Sequence, residues 1–264
     1  MAKQQKKDAS AQKKPPVSIQ LYTLRETAAK DFFGVLKEVA AMGYVGVEMA
    51  GLHDKKPAEV RKVLDDLGLV ASSTHIGMPT KENLQEVVDT ANTLGYKLII
   101  TNRGPDKFAG PDGVKNVAES LQEAALLLKP HGLRFGYHNH WWEFDRVEGR
   151  LKYDVLLELA PDIFGELDTY WASNFGAVNV PEVIAKHKKR MPLLHIKDGP
   201  LVKDQPHTAV GAGKMDVAGC IHAADPKVLE WLVVELDSCA TDMTTAARES
   251  CAWLTKNGLG RGTR

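Results

Sequence analysis

Short apolar runs rich in β-branched and aromatic residues alternate along the chain with longer stretches whose apolar residues recur every three or four positions. The short runs predict eight strands, namely Val17–Tyr22, Tyr44–Met49, Leu69–His75, Tyr96–Thr101, Leu133–His138, Ile163–Asp168, Pro192–Ile196 and Trp231–Leu236. Their first residues are 25 to 39 positions apart. One strand with a returning helix needs about this length in an α/β barrel.

The longer stretches predict amphipathic helices, and the clearest are Lys30–Met42, Pro57–Leu67, Lys81–Leu94 and Asp112–Lys129. Four helix ends are followed by glycine and then by an apolar strand, at Gly43, Gly68, Gly95 and Gly132. Glycine adopts the left-handed conformation that closes a helix. Alternating strands and helices favour a parallel sheet, and eight such units favour a single (β/α)8 TIM barrel. The first turn after a strand has no GxGxxG, which argues against a dinucleotide-binding fold.

Residues 1–16 differ from the rest because they hold five lysines and two prolines, with no large apolar residue after Met1. This composition predicts a disordered basic tail, and residues 17–264 are predicted to form the barrel domain. The tail lacks the apolar segment of a signal peptide. We therefore expect a cytoplasmic protein, with the alternative that the tail replaces a removed leader.

The chain has 34 basic and 34 acidic residues, so its formal net charge is zero. Binding to nucleic acid depends on basic clusters, and we expect no nucleic-acid partner. No apolar run is long enough to span a bilayer, and we expect no membrane partner. A homo-oligomer is left open.

The active site of a TIM barrel lies at the carboxyl ends of its strands. Polar residues end the predicted strands here, and they are Gln20, Tyr22, Glu48, His75, Thr101, Asn102, Arg103, His138, Asn139, His140, Glu143, Glu166, Asp168, His195, Lys197, Asp198, Glu235 and Asp237. A divalent cation would offset the repulsion between buried carboxylates. Asp168, His195 and Glu235 each close an apolar run, and we predict them as its ligands. Carboxylate and imidazole ligands suit Mn²⁺, Co²⁺, Mg²⁺ or Zn²⁺.

Six segments carry a family resemblance, in the order SIQLYTLR, GVEMAG, GYHNHWWEF, LDTYW, LLHIKDG and GAGKMD. Together they resemble the xylose-isomerase-like TIM barrels of the sugar phosphate isomerase/epimerase family, from about Val17 to about Trp253. The resemblance implies one divalent metal held by Glu, Asp, His and Glu from strands five to eight. Asp168, His195 and Glu235 match the last three ligands.

The first ligand is a departure, because the chain reads His138-Asn139-His140 where many relatives have a glutamate. Either His138 replaces that glutamate or Glu143 reaches back to the metal. We favour Glu143, since it preserves the number of carboxylates and leaves His138 free as a base. Ala212 is a second departure, because relatives often carry an acid between these glycines.

The resemblance implies an isomerase or epimerase that acts on a sugar or keto-sugar through a metal-stabilised enediolate, with Mn²⁺ as the first choice of metal. The alternative is a lyase or dehydratase that eliminates a β-hydroxyl or a β-glycoside from a keto-sugar or keto-inositol. No phosphate cradle is visible, so we expect a substrate without phosphate.

The implied roles follow from position at the strand ends. Glu235 and either His138 or Glu143 would flank the reacting carbons, Glu48 and His140 would supply further acid or base, and Lys197 would stabilise negative charge. His75 would bind substrate hydroxyls. Aromatic side chains would form the walls of the pocket, and they are Tyr22, Trp141, Trp142, Tyr170 and Trp171.

Two other classes of function compete with an isomerase. The endonuclease branch of the superfamily needs a larger metal-binding set and a basic groove, which a neutral chain does not suggest. A scaffold or a sugar-binding protein without catalysis would not need acids aligned at the strand ends. Metal analysis of the purified protein would distinguish the scaffold from the enzyme.

Overall fold

Eight parallel strands close into a barrel in the computed structural model, which describes residues 14–110 and 112–263. The strands are β1 (Val17–Gln20), β2 (Gly46–Met49), β3 (Val70–His75), β4 (Leu98–Thr101), β5 (Arg134–His138), β6 (Phe164–Asp168), β7 (Leu193–Ile196) and β8 (Trp231–Val234). Each pairs with its neighbours in sequence, and β8 pairs with β1. The predicted single (β/α)8 barrel is confirmed, and each predicted run contains one strand.

Helices surround this barrel and connect its strands. The eight longer ones are α1 (Phe32–Met42), α2 (Pro57–Leu67), α3 (Leu84–Leu94), α4 (Gly113–Leu128), α5 (Lys152–Leu159), α6 (Val180–His187), α7 (Val217–Ala223) and α8 (Met243–Lys256). Short helical turns cover Leu21–Leu24, Arg25–Ala28, Pro105–Phe108, Lys129–His131, Trp142–Phe144, Thr169–Ala172 and Lys188–Arg190. A small hairpin joins Arg146–Val147 to Arg150–Leu151.

The predicted glycine junctions close three helices. Gly43, Gly68 and Gly95 follow α1, α2 and α3 with φ of 97°, 67° and 86°. Gly132 ends the short turn after α4 with φ of 68°. A side chain would strain the backbone at these angles, which is why glycine marks the change from helix to strand.

The strands have two differently packed faces. Outward-facing residues such as Ile99, Leu167 and Leu194 join the large core beneath the helices. Inward-facing residues near the amino ends form a separate apolar cluster inside the barrel, made of Leu98, Ile100, Phe164, Leu193 and Val233. Gly136 leaves the space that the Phe164 ring fills, because a β-carbon at Gly136 would collide with that ring. We call the cluster of Leu98, Ile100, Phe164, Leu193 and Val233 the apolar floor.

The chain is fixed to the barrel before β1 begins. The Pro15 and Pro16 carbonyls accept hydrogen bonds from the N–H groups of Arg261 and Leu232, at 2.8 and 3.1 Å. The part of the predicted disordered tail at residues 1–13 lies outside the described residues. Among the helices of residues 14–110 and 112–263, none has the length and apolarity needed to cross a bilayer.

Candidate metal centre

Ionisable side chains replace apolar ones inside the barrel above the apolar floor. The inward-facing positions near the carboxyl ends of the strands carry Glu48, His138, Glu166, Asp168 and His195, with Lys197 and Glu235 just beyond the strands, and none of the seven is more than 5% exposed. The strand register pairs His138 with Glu166 and Asp168 with His195. The alternation of strand side chains therefore brings these groups together.

Four of these residues form what we call the outer cluster, made of His138, Asp168, His195 and Glu235. One potential ligand atom from each lies within 4.8 Å of the others. His138 Nε2 is 3.9 Å from Asp168 Oδ2, and His195 Nδ1 is 2.9 Å from Glu235 Oε2. Asp168 Oδ2 is buried and makes an ion pair with Lys197 Nζ at 3.0 Å. Two imidazoles and two carboxylates are a donor set that fits a divalent cation of the first transition row.

Lys197 lies beside the outer cluster and is wholly buried. Its Nζ is 3.0 Å from Asp168 Oδ2, 2.8 Å from Glu235 Oε2 and 2.6 Å from Asp237 Oδ2. Burial opposes the charged form, but Asp168, Asp237 and Glu235 outweigh it and hold the pKa of Lys197 well above its usual value. Lys197 is therefore an ammonium that offsets part of the carboxylate charge.

Beside these residues lies the inner cluster, which we define as Glu48, His75 and Glu166. Glu166 Oε2 is 2.6 Å from His75 Nε2, 3.2 Å from His195 Nε2 and 3.4 Å from His138 Nδ1. Glu48 Oε1 is 2.8 Å from His195 Nε2 and 3.2 Å from His75 Nε2. His138 and His195 thus present one ring nitrogen to each cluster.

A second group of four could also hold an ion, and it consists of His75, His138, Glu166 and His195. The charge balance favours the outer cluster instead. The carboxylates of Asp168 and Glu235 in the outer cluster, together with the adjacent Asp237, face one cation, the Lys197 ammonium. In the inner cluster, two carboxylates face His75, whose pKa they raise to about 10 against the effect of burial. The larger negative excess, and so the stronger attraction for a cation, lies in the outer cluster.

The pKa shifts agree with this division. Burial raises the pKa of Asp168 to about 6. Burial, followed by repulsion from His195, holds the pKa of His138 well below its usual value, so His138 is neutral and can bind a metal. Burial disfavours the charged form of His195 too, but Glu166 and Glu48 outweigh it and hold its pKa well above 6.5.

The structure does not bring Glu143, the predicted strand-five ligand, to the outer cluster. Tyr137 donates its hydroxyl to Glu143 Oε1 at 2.5 Å, and the His140 N–H donates to Oε2 at 2.9 Å. Tyr137 belongs to the outward-facing core, so the short turn after β5 carries Glu143 behind the barrel wall. The structure places His138 next to Asp168, His195 and Glu235 in the position that Glu143 was predicted to take.

A cavity of about 620 Å³ opens above the cluster, and we call it the mouth cavity. Of the predicted substrate-binding and catalytic residues, Tyr22, His75, His138, His140 and Glu235 line it.

The structure keeps the other predicted site residues away from this cavity. Glu48 and Lys197 are buried and do not line it. Trp142 stacks behind His140 with ring centroids 4.4 Å apart. Trp171 lines a smaller cavity, which shares Asp237 with the mouth cavity.

Asp198 has a structural role that its place at a strand end does not predict. Its carboxylate accepts N–H hydrogen bonds from Gly199, Gly211, Gly213 and Met215, between 2.8 and 3.1 Å. These bonds fix the glycine-rich loop Val210–Asp216 against the end of β7. The only signal in the sequence was the position of Asp198 at a strand end.

Comparison with known proteins agrees with this architecture. The sequence profile described as "Xylose isomerase-like TIM barrel" matches residues 36–257. The chain belongs to this family. It is 25% identical over 189 residues to an inosose dehydratase of Geobacillus kaustophilus (strain HTA426), a match that covers 62% of this chain and 61% of that protein.

Two solved structures extend the comparison. A sugar phosphate isomerase/epimerase from Parabacteroides distasonis ATCC 8503 superposes with a TM-score of 0.77 and 25% identity, over 97% of this chain and 98% of that one. An L-ribulose 3-epimerase has a TM-score of 0.70 at 18% identity, over 93% and 94% of the two chains, and it shares the fold. These relatives bear the names of sugar-processing enzymes, whose reaction classes differ.

Proposed function

We propose that this protein is a divalent-metal-dependent isomerase or epimerase of a sugar or keto-sugar. The observation that carries the proposal is the outer cluster, in which the buried Asp168 carboxylate lies with two imidazoles and Glu235 beside the mouth cavity. His138, Asp168, His195 and Glu235 would hold the ion, with Mn²⁺ as the first choice. When bound, the ion would polarise a substrate carbonyl and stabilise the resulting enediolate.

The inner cluster supports this ligand set. A metal-bound histidine usually donates its second N–H to a carboxylate, which fixes the tautomer and the ring orientation. Glu166 and Glu48 lie 3.2 and 2.8 Å from His195 Nε2, and Glu166 lies 3.4 Å from His138 Nδ1. We therefore assign the two glutamates as positioning residues rather than as the acid or base predicted for Glu48.

Proton transfer falls to two histidines that line the mouth cavity. Burial lowers the pKa of His140 to about 4, so at neutral pH it can accept a proton. Glu48 and Glu166 keep His75 protonated, so it can donate one. The His138 ring lies between them, with centroids 5.1 and 5.2 Å away. Two groups whose surroundings shift their pKa values in opposite directions suit an acid and a base.

Lys197 and Glu235 complete the site from the opposite side of the cluster. The Lys197 ammonium is 2.8 Å from Glu235 Oε2, and this contact helps hold the pKa of Glu235 well below its usual value despite burial. Glu235 is thus ionised and available as a ligand. Lys197 adds fixed positive charge near the place where an enediolate oxygen would develop negative charge.

A lyase is the second candidate, and the inosose dehydratase relative favours it. Elimination starts with the same proton removal from the carbon beside the carbonyl. The electron pair then expels a β-hydroxyl or β-alkoxyl group, which takes a proton from an acid such as His75, and an unsaturated ketone remains. The two reactions differ only after enolisation.

Proton exchange tests both candidates. Ketoses, keto-inositols and keto-glycosides would be incubated with the Mn²⁺-loaded protein in deuterated water and followed by NMR. Deuterium incorporation with an isomer or epimer supports the first candidate, and an unsaturated ketone supports the second. Asp168→Asn should abolish exchange, while Leu126→Ala, a change on the exposed face of α4, should preserve it. No exchange with Mn²⁺, Co²⁺, Mg²⁺ or Zn²⁺ over the panel would overturn the proposal.

A further inference from the structure

A second cavity of about 210 Å³ adjoins the mouth cavity, and both are bordered by Asp237. Its wall is aromatic and comes from three loops at the carboxyl ends of the strands. Trp141 follows β5, Trp171 and Phe175 follow β6, and His207 follows β7. The Phe175 ring centroid is 5.9 Å from that of Trp141 and 6.2 Å from that of Trp171. We call this the aromatic cavity.

Packing alone does not explain the aromatic cavity. Trp141, Trp171 and Phe175 remain partly exposed, although rings that serve only to fill a core are usually covered. The Trp171 Nε1 atom is buried and has no hydrogen-bond partner among the described residues. A buried indole N–H normally donates to an acceptor. The cavity thus has a wall of partly exposed ring surface, and behind it lies an indole N–H that no described residue accepts.

The backbone around the aromatic cavity is strained. Phe175 and Leu201 have φ of 57° and 58°, and Asn174 and Asp204 have φ of 44° and 59°. These four are among seven residues other than glycine with positive φ in the part of the chain that the structure describes. The left-handed conformation costs roughly 1–2 kcal/mol for a residue such as phenylalanine. Strain of this kind gathers at ligand-binding loops, where the surrounding structure holds it.

The charges around the aromatic cavity favour an uncharged ligand. Lys203 is the cation of its wall, and it is matched by Asp204 and Asp237. Burial keeps His207 neutral by lowering its pKa to about 4. A phosphate or carboxylate would find no excess of positive charge here. Aromatic faces with a few hydrogen-bonding groups instead suit the C–H and hydroxyl surfaces of a neutral ring.

We propose that the aromatic cavity binds the second ring of a glycoside whose first ring occupies the mouth cavity. This inference rests on the proposed function and adds the class of substrate to it. Because Asp237 borders both cavities, the second ring of such a ligand would lie across this residue from the first. Asp237 is held there by its carboxylate contact with Lys197 and by its N–H, which donates to His207 Nδ1 at 3.2 Å.

Binding of glycosides without a carbonyl tests the cavity separately from the reaction. Methyl β-cellobioside and methyl α-maltoside would be titrated into the Mn²⁺-loaded protein by calorimetry, each against the methyl glucoside of the same anomeric form. At least one disaccharide should bind about tenfold more tightly than its monosaccharide. Phe175→Gly and Trp141→Ala should reduce that ratio towards one, whereas Leu126→Ala should preserve it.

Phe175→Gly separates binding from folding because glycine tolerates a positive φ. Its midpoint of thermal unfolding should therefore equal or exceed that of the wild type while the advantage of the disaccharide is lost. The inference is overturned if neither disaccharide binds more tightly than its monosaccharide, or if Phe175→Gly retains the full ratio. The proposed function fails on a different result, the absence of proton exchange.

Discussion

The interior of the barrel differs between its two ends, although the same strands build both. On β6, Phe164 belongs to the apolar floor, and two and four positions later Glu166 and Asp168 belong to the charged clusters. On β7, Leu193 is followed in the same way by His195. The floor makes contacts that stabilise the fold in any state of the protein. At the charged end, the buried ionisable groups serve a function only when a cation and a substrate are present.

The energetic consequences are opposite at the two ends. Burying a large apolar side chain stabilises the fold by roughly 1.5–3 kcal/mol. Burying a charge costs several kcal/mol before its partners offset that cost. We therefore expect substitutions in the floor to change stability and substitutions in the outer cluster to change metal binding and activity.

Asp168→Asn should have the largest effect. It removes a charged ligand from the outer cluster, and we expect turnover to fall by about 10³–10⁴-fold, since a bound metal supplies several kcal/mol of charge stabilisation. The metal-free variant should be as stable as the wild type or more stable, because burial already raises the pKa of Asp168 to about 6. Steady-state kinetics and chemical denaturation measure the two effects, and full activity with normal metal content would contradict the ligand assignment.

Phe164→Ala should show the reverse pattern. Removing the ring from the apolar floor leaves a cavity beside Gly136, and the free energy of unfolding should fall by about 3–5 kcal/mol. The Mn²⁺ dissociation constant of the folded protein should change less than threefold, a small change on the scale set by ligand loss. Loss of metal binding by a folded Phe164→Ala variant would show that the two ends are not independent.

Glu166→Gln tests the support beneath the metal. The amide keeps the size of the side chain but weakens its interaction with the imidazoles of His138 and His195. Mn²⁺ affinity should fall about 10–100-fold, which is typical when a carboxylate behind a metal-bound histidine is lost. A calorimetric titration that still shows a single site would identify Glu166 as a positioning residue. If the wild type instead binds two equivalents of metal and Glu166→Gln binds only one, Glu166 is itself a ligand.

Metal binding should release protons in a pattern set by two residues. The metal-free protein keeps His195 protonated at neutral pH, and Asp168 has a raised pKa of about 6. At pH 7, metal binding should release about one proton, from His195. Below pH 6 it should release a second proton, from Asp168, so the Mn²⁺ affinity should fall more steeply with pH there. Calorimetry in buffers of different ionisation enthalpy gives this number, and a pH-independent affinity between 5 and 7 would contradict it.

Glu143→Gln should have the smallest effect on the site. Burial raises the pKa of Glu143 to about 8, so its contribution to stability is complete below the unfolded pKa near 4.3 and is lost as the pH rises through 8. The free energy of unfolding of the variant should therefore rise relative to that of the wild type, by about 1–3 kcal/mol between pH 5 and pH 9. Its Mn²⁺ affinity should stay within threefold of the wild type, a change well below that expected for a lost ligand. A large loss of affinity would restore Glu143 as a ligand.

The comparison of the two ends also shows what the sequence could predict. Hydrophobic periodicity and the glycine junctions were sufficient for the eight strands, because both depend on local backbone geometry. Asp168, His195 and Glu235 are predicted to lie together because each closes an apolar run, and the barrel brings such positions together. The same reasoning reaches Glu166, since alternation puts it on the face of Asp168, although the residue nearer the strand end is the one it predicts as a ligand.

Other features depend on contacts between distant parts of the chain. The turn after β5 carries Glu143 towards Tyr137, and nothing in the order HNHWWEF reveals which side of the wall it takes. The four N–H groups bound by Asp198 come mainly from a loop 13 to 17 residues away. The aromatic cavity joins three loops, so Phe175 and His207 had no local signal that would link them to Trp141.

Anomalous diffraction from crystals of the Mn²⁺-loaded protein tests the central claim most directly. We predict one strong peak per chain, about 2.0–2.3 Å from ligand atoms of His138, Asp168, His195 and Glu235. A peak coordinated by Glu143, a peak confined to the inner cluster, or no peak inside the barrel would contradict the account.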